Sequence, residues 1–295
     1  MTALTIRQIK RQSPQLANGA LNHELPPFWI TDWLLHILDK PALFLIMNDS
    51  YQLTDTEFEL FNAGVKKMQQ GMPLAYLTGQ QAFWSLDFMV NEHTLIPRPD
   101  TEILVEQVLN WIKAQPTAQV NGCTNKRLLD LGTGSGCIAI SLAHELKKAN
   151  WQVVAVDFSA EALKVARHNA LANQVDNIKF VQSSWYENLP MDSEHLFDVI
   201  VSNPPYIDEA DEHLQRLQAE PISALSASNH GLADIEHIVQ QAPHYLRRSG
   251  LLAIEHGFDQ GSAVHALFVA NGFVTVQVIQ DFGGNDRVTF GQLPN

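Results

Sequence analysis

The sequence predicts an α/β protein: a largely parallel β-sheet covered by helices on both faces, with a small helical domain ahead of it. Two features carry that expectation. From residue 128 onward, strand-like and helix-like stretches alternate, and such alternation builds parallel strands joined by helical crossovers. Two of the strands also run into segments that neither strand nor helix continues: Leu131 into glycines at 132, 134 and 136, and Ser202 into Asn203-Pro-Pro-Tyr206. Open α/β sheets hold their ligands at such carboxyl ends.

Residues 1–80 lack the alternation. Trp33, Leu34, Ile37 and Leu38 recur at three and four from about residue 27, with Thr31 and Asp32 suited to cap the start and Pro41 to end the segment. A second apolar segment, Leu43 to Met47, leads to Thr54-Asp-Thr-Glu57, a capping box opening a helix that ends at Gly71. Phe58, Phe61, Val65 and Met68 share one face of it and read as core. The expectation is a helical domain over 1–80 that either docks a substrate or supports the rest of the chain.

Between Gln81 and Leu95 the period shortens. Phe83, Trp84, Phe88 and Val90, with Ser85 to Asp87 at the turn, suggest a linking β-hairpin over residues 81–96. In Ile96-Pro-Arg-Pro-Asp-Thr-Glu102 the two prolines hold an extended corner and fix the direction of Arg98. That arginine reads as an interdomain salt bridge or as a contact for substrate or cofactor. Asp100 suits the N-cap of an amphipathic helix carrying Leu104, Val105, Val108, Leu109 and Ile112. A polar, mobile loop is expected from Ala114 to Lys126, within a main domain of residues 97–295.

Strands are expected at Leu128–Leu131, Trp151–Val156, Ile178–Gln182, Phe197–Ser202, Leu251–Glu255, Val274–Ile279 and Val288–Gly291. Helices are expected at Cys137–Lys148, Ala160–Ala172, Asp234–Arg247 and Gly261–Ala270.

Composition narrows the function. The 295 residues are 45% hydrophobic and 17% charged, as in a soluble globular protein, and the net charge is −13 with no basic cluster longer than a pair. Tight binding to nucleic acid requires several phosphates to be neutralised, so this balance disfavours it and suits a protein substrate. Cys123 and Cys137 form no Cys-x-x-Cys pair, and the 12 histidines are scattered, so neither disulfide nor metal is expected. No apolar signal core is present and the longest apolar run, Ala42 to Met47, is too short to span a bilayer, which makes the cytoplasm the default and a membrane partner unexpected.

Gly132, Gly134 and Gly136, with Thr133 and Ser135 between them, form a turn whose backbone a ligand can approach, while the next helix offers its N–H groups. The spacing is one residue short of the dinucleotide fingerprint, and there is no Gly-Lys-Ser/Thr. Asp157 ends the second strand 21 positions after Gly136, where a carboxylate can hold both hydroxyls of a ribose. Asp130 is placed to take the ammonium of an amino-acid moiety, and Ser184-Trp185 to offer adenine a polar edge and a stacking face, unless Trp185 is simply core. At the fourth strand Pro204 and Pro205 donate no N–H, which leaves the Asn203 side-chain oxygen, the Asn203 and Pro204 carbonyls and the Tyr206 ring to face a planar NH2 group.

Asp130, the glycines and Asp157 together resemble the class I S-adenosylmethionine-dependent methyltransferases. That resemblance implies a Rossmann-like seven-stranded sheet, an antiparallel last strand and S-adenosylmethionine as cofactor. Ser184 stands where the family has an acidic residue. Asn-Pro-Pro-Tyr marks members that methylate a planar NH2, whether of adenine, cytosine or glutamine. Phe83-Trp-Ser-Leu86 and Leu95-Ile-Pro-Arg-Pro-Asp-Thr-Glu102 resemble the bacterial HemK/PrmC class, as do Glu220-Pro-x-x-Ala-Leu225, Glu255-His-Gly257 and Asp281-x-Gly-x-Asn-Asp-Arg287. The likeness runs from about residue 54 to Gly291, with Leu217-Gln-Ala where the class usually has Arg-Phe.

The resemblance implies a protein-(glutamine-N5) methyltransferase acting on the Gly-Gly-Gln loop of peptide chain release factors. Asn203 and Pro204 would accept from the substrate NH2, Tyr206 would pack over the amide, and no strong general base is needed. An amino methyltransferase of nucleic acid, a methyltransferase of a ribosomal-protein glutamine and a non-enzymatic module retaining the cofactor pocket are the alternatives.

Overall fold

The computed structural model describes residues 4–18, 25–115 and 126–295. The chain divides into two compact units, Met1–Gln80 with Gln215–Ala219, and Gln81–Leu214 with Glu220–Asn295. Most of the expected polar loop from Ala114 to Lys126, together with Cys123, lies outside the described residues.

The smaller unit is helical: α1 (Ile6–Ala17), α2 (Pro27–Leu38), α3 (Leu43–Met47), α4 (Asp55–Gln69) and α5 (Leu74–Thr78). Sequence reasoning did not assign α1, although Thr5-x-x-Gln8 closes a capping box at its start. Pro14 lies inside this helix and cannot donate to the Lys10 carbonyl; the Ser13 hydroxyl donates to it instead, at 2.9 Å. Thr31 and Asp32 do not cap α2. Pro27 at the first helical position, with φ already near the helical value, starts it four residues earlier. The expected box on α4 is present: Thr54 Oγ1 accepts from the Glu57 N–H at 3.3 Å, and Glu57 Oε2 from the Thr54 N–H at 2.7 Å. Ile9, Ile30, Leu34, Phe61 and Met68 are buried in one core, and Trp33 Nε1 donates to the Phe61 carbonyl at 3.2 Å. There α4 presses its backbone on the indole, because a Cβ added to Gly64 would stand 2.1 Å from the Trp33 ring.

The larger unit opens at Gln81, inside β1 (Gln80–Phe83), which forms a hairpin with β2 (Leu86–Met89). Its turn is Trp84-Ser85 rather than Ser85 to Asp87; Trp84 takes φ +59°, the left-handed conformation that reverses a chain in two residues. Asp100 does not cap the next helix either. It sits in a 3-10 turn, Pro99–Thr101, that leads into α6 (Glu102–Ala114), and its carboxylate lies 3.4 Å from Arg287.

Then follow β3 (Lys126–Leu131), α7 (Cys137–Glu145), β4 (Trp151–Asp157), α8 (Ala160–Ala172), β5 (Ile178–Gln182), β6 (Phe197–Ser202) and the short pair β7 (Ile207–Asp208) and β8 (Ser226–Ala227). The chain closes with α9 (Ala233–Gln241), β9 (Leu246–Glu255), α10 (Gly261–Ala270), β10 (Val274–Gln280) and β11 (Asp286–Gln292). The helix expected to reach Arg247 stops at Gln241, since Pro243 forces a 3-10 turn, and β9 gains five residues at its start.

Seven strands form the sheet, in the order β10-β11-β9-β6-β3-β4-β5, with β11 antiparallel to both neighbours and β9 through β5 parallel. Successive residues serve opposite faces. Leu128, Val153, Ala155, Val199, Val201, Leu251 and Ala253 join a core with α6 and α7; Leu129, Leu131, Val154, Val156, Ile200, Leu252 and Ile254 join a second with α9 and α10. Burying both faces explains why these strands read as unbroken apolar runs. At about 1.5–3 kcal/mol for each large aliphatic side chain, these layers dominate the stability of the sheet and fix the carboxyl ends of β3, β4 and β6 side by side.

Candidate active site

The carboxyl ends of β3 and β4 carry the glycine turn. Gly132, Gly134 and Gly136 take φ of +73°, +55° and +84°, which L side chains resist. The turn is pinned on three sides: the Thr133 N–H donates to the Val156 carbonyl at 2.8 Å, the Gly134 N–H to Asp157 Oδ2 at 2.8 Å, and Asn169 Nδ2 to the Ser135 carbonyl at 2.9 Å. Asp157 Oδ1 accepts from the Ser159 N–H at 2.8 Å, so one bond falls on each oxygen and the remaining lone pairs face outward. Burial raises the pKa of Asp157, and the two backbone donors hold that rise back.

These residues line a cavity of about 550 Å³, the size of a cofactor site. Gly132, Thr133, Gly134, Ser135, Asp157, Trp185, Asn203, Pro205 and Arg98 are on its wall; Asp130, Gly136, Pro204 and Tyr206 are not. A Cβ built on Gly134 meets no protein atom within 4 Å, so a side chain there would fill the space left for a ligand. Gly136 serves packing instead, because its Cβ would come within 2.7 Å of Ile140.

Asp130 lies behind the wall of the cavity. It is fully buried, accepts the Thr133 hydroxyl at 2.6 Å, and its carboxyl is pushed up to about 7, chiefly by burial and further by the charge of Asp157. Its Oδ1 is buried without a protein partner, and its Oδ2 holds the Thr133 hydroxyl at the start of the turn.

Trp185 takes φ +47° and brings its ring to 3.3 Å from where a Gly132 Cβ would be. A strained non-glycine backbone needs support, and the indole lies beside Asp234, which also lines the cavity and whose carboxyl pKa burial raises and the indole lowers. Ser184 is on the same wall.

The Asn203 loop leaves β6, whose last residue, Ser202, donates its hydroxyl to the Leu131 carbonyl at 2.8 Å. Asn203 Nδ2 donates to Thr101 Oγ1 at 3.2 Å, and the Tyr206 hydroxyl to Glu255 Oε1 at 3.3 Å. Gln260 Nε2 donates to the Tyr206 carbonyl at 3.0 Å, so that carbonyl is already engaged. Glu255 ends β9, is 1% exposed, and is pushed up to about 7 by burial, with the neighbouring Thr101 hydroxyl, the charge of Arg287 and the Tyr206 hydrogen bond opposing that rise; its Oε2 has no protein partner. Burial and Glu255 together raise the Tyr206 phenol well beyond its ordinary value.

Arg98 forms its ion pair with Glu220, which also accepts the Ile96 N–H at 3.0 Å through its second oxygen. Both partners belong to the larger unit, so the pair is not interdomain. Thr101, Asn169, Glu255 and Gln260 were not predicted as site residues. The available signal was a polar residue within an apolar face, as in Leu251-Leu-Ala-Ile-Glu255. Among the described residues no group of three or more His, Cys, Asp or Glu could hold a metal, and no helix is long and apolar enough to cross a membrane.

The site can be compared with known proteins. A methyltransferase-domain family matches residues 124–273, and the PrmC N-terminal domain matches residues 23–79. The chain is 43% identical over 261 residues to the release factor glutamine methyltransferase of Aliivibrio fischeri, covering 88% of this chain and 87% of that one. To the Escherichia coli K12 enzyme of the same name it is 41% identical over 261 residues, covering 88% and 89%. To that of Yersinia pestis it is 43% identical over 280 residues, covering 94% and 96%.

Among solved structures, the hMettl16 catalytic domain, in complex with MAT2A 3'UTR hairpin 1, matches with a TM-score of 0.55 at 16% identity, over 88% of this chain and 91% of that one. The Thermus thermophilus 16S rRNA N2 G1207 methyltransferase RsmC, in complex with AdoMet and guanosine, matches with a TM-score of 0.51 at 17% identity, over 72% and 49%. At these identities the structural matches speak for the methyltransferase fold alone. The sequence relatives span nearly the whole chain, and on that ground it belongs to the release factor glutamine methyltransferase family.

Proposed function

We propose that the protein transfers a methyl group from S-adenosylmethionine to the side-chain amide nitrogen of the glutamine in the Gly-Gly-Gln motif of peptide chain release factors. The observation that carries this reading is the identity of 41–43% to enzymes of that name across 88–94% of the chain. The juxtaposition of the glycine cradle with Asn203 and Pro205 of the Asn-Pro-Pro-Tyr loop on one cavity supports it.

S-adenosylmethionine supplies an electrophilic methyl group on a sulfonium sulfur. The turn from Gly132 to Gly136 gives the cofactor a backbone surface, and Asp157 offers its outward lone pairs to the ribose hydroxyls. Asp130 acts on the amino-acid end through Thr133, whose hydroxyl it holds, and Trp185 covers the adenine. Asn203 Oδ1 and the Pro204 carbonyl accept the two hydrogens of the substrate amide, fix its nitrogen in line and raise its electron density. Pro205 stiffens the loop, Tyr206 backs the amide plane and Arg98 borders the substrate entrance. The helical region of residues 1–80 is the docking domain, residues 81–96 the linker and 97–295 the catalytic domain, working in the cytoplasm.

The test is to mix purified protein with labelled S-adenosylmethionine and a release factor, beside the same factor with its Gly-Gly-Gln glutamine replaced. Label in the first and none in the second is the expected result. Equal label in both, or label only in added nucleic acid, overturns the substrate assignment.

A further inference from the structure

Pro204 and Pro205 have no N–H, so the middle of the Asn-Pro-Pro-Tyr loop donates no backbone hydrogen bond and the loop has to be held from its flanks. The leading flank is tied by the Ser202 hydroxyl to the Leu131 carbonyl and by Asn203 Nδ2 to Thr101 Oγ1. At the trailing flank the Ile207 N–H donates to the Leu225 carbonyl at 3.0 Å, and the Tyr206 carbonyl accepts from Gln260.

Gln260, the residue before α10, is 8% exposed and uses both ends of its amide. Oε1 accepts the Gly257 N–H at 2.8 Å, and Nε2 donates to the Tyr206 and His230 carbonyls, each at 3.0 Å. All three partners are backbone groups of fixed polarity. A carbonyl only accepts and an N–H only donates, so the amide has a single orientation, and a side chain of this length lacking either function fails at least one partner.

The His230 carbonyl is brought there by a strained segment. Asn229, His230 and Gly231 take φ of +54°, +54° and +77°, and two of the three are not glycine. Such conformations persist where the surroundings over-determine them. Asn229 Nδ2 donates to Glu236 Oε1 at 3.0 Å, His230 Nδ1 lies 2.8 Å from Asp208 Oδ2, and β7 pairs with β8 through Ile207 and Ser226. The carbonyl oxygens of Tyr206 and His230 thus converge on one NH2 group, which supplies a hydrogen to each.

We propose that Gln260 is a positioning residue for the methyl-acceptor site: by bridging the Tyr206 and His230 carbonyls it fixes the trailing end of the Asn-Pro-Pro-Tyr loop, and with it the Pro204 carbonyl and the Tyr206 ring, against the strained segment. The role rests on the reading of that loop as the seat of the substrate amide.

Gln260→Glu keeps the length and shape but sets an oxygen against the two carbonyls, while Gln260→Met removes donor and acceptor alike. With a release factor as substrate at pH 8, Gln260→Glu lowers kcat by roughly 10- to 100-fold with the affinity for S-adenosylmethionine within twofold of wild type. A neutral carboxyl regains one donor, and burial against two carbonyl oxygens favours the neutral form. The ratio of variant to wild-type kcat therefore rises several-fold from pH 8 to pH 6, whereas in Gln260→Met the loss is the same at both. The titratable and charged groups around the bridge, His256, Asp259, Asp286, Arg287, His230 and Asp208, are common to all three proteins and cancel in that ratio. An unchanged kcat in Gln260→Glu, a loss independent of pH, or a parallel loss of cofactor affinity overturns the proposal.

Two further measurements need no substrate. Backbone amides of residues 206–210 exchange at least several-fold faster in Gln260→Met than in wild type while those of residues 131–136 are unchanged, and equal exchange overturns the proposal. In wild-type protein labelled with 15N-glutamine, the Gln260 NH2 protons exchange far more slowly than those of exposed glutamines; exchange at the same rate overturns it even where a variant fails to fold. Protein that shows both exchange patterns yet methylates no release factor would instead defeat the substrate assignment, with the hold of Gln260 on the loop intact.

Discussion

Asp157 Oδ2 accepts the backbone N–H of Gly134 at 2.8 Å, tying the end of β4 to the middle of the glycine turn that follows β3. One carboxylate therefore both shapes the cradle and offers its outward lone pairs to a ligand. Asp157→Ala should weaken S-adenosylmethionine binding at least tenfold, measured by titration calorimetry, because turn and contact are lost together. Asn203→Ala should leave that affinity within twofold and cut kcat by roughly 100- to 1000-fold, in the range found when one preorganised polar contact to a reacting group is removed. Comparable affinities in the two variants would refute the division of labour.

Gly134→Ala tests the open side of the turn. The new methyl meets no protein atom, so the fold survives with a modest loss for φ +55°, while the cavity loses space next to the backbone N–H. Cofactor affinity should fall by more than tenfold with a melting temperature within a few degrees of wild type. Unaltered affinity would show that no ligand approaches this position.

Two buried carboxyls make the ligand-free protein sensitive to pH. Asp130 and Glu255 are both pushed up to about 7, in each case mainly by burial, above the ordinary values of 3.8 and 4.5. A raised folded-state pKa means that the folded chain holds the proton more tightly than the unfolded one. The stabilisation is complete below the ordinary range and is lost as pH rises through about 7. Urea unfolding at pH 5, 6 and 7 should give falling stability, by up to about 1.4 kcal/mol per pH unit for each group between pH 5 and 6, and the fall should level off above pH 8, where the carboxyls are ionised in both states. Asp130→Asn should flatten the slope, and stability that rises with pH would contradict this account.

Gly64→Ala addresses the helical unit alone. The added Cβ would stand 2.1 Å from the Trp33 ring, and overpacking of this kind costs roughly 1–3 kcal/mol. Limited proteolysis should cut residues 1–80 faster in the variant, with S-adenosylmethionine affinity unchanged. Wild-type resistance would mean that the indole moves aside at little cost.

How far the sequence disclosed all this depended on the range of the interaction. Leu128 to Leu131 and Val199 to Val201 were legible as strands because both faces of the sheet are buried, which leaves an apolar run in the chain itself. The glycines, Asp157 and Asn203 were legible as candidates because their chemistry sits in contiguous segments. The capping box of α1 was equally local, but Pro14 a few residues on argues against a helix unless the Ser13 hydroxyl is known to answer for the missing donor. Thr101 and Glu255 could not be found that way: they meet Asn203 and Tyr206 across 102 and 49 positions, respectively, through sheet order and register. The burial of Asp130 was hidden for a related reason, since its place beside the glycines says nothing of the depth to which the turn buries it.

Gly231 takes φ +77°, and a Cβ there would lie 2.0 Å from the Tyr206 carbonyl oxygen, which Gln260 joins to the neighbouring His230 carbonyl. Position 231 touches neither wall of the cavity, yet any side chain would displace the far end of the Asn-Pro-Pro-Tyr loop. In a random mutagenesis library it should therefore be a silent lesion, yielding protein that is expressed and retains its cofactor but is inert, and natural variation across related chains should be narrower there than its distance from the cavity would suggest.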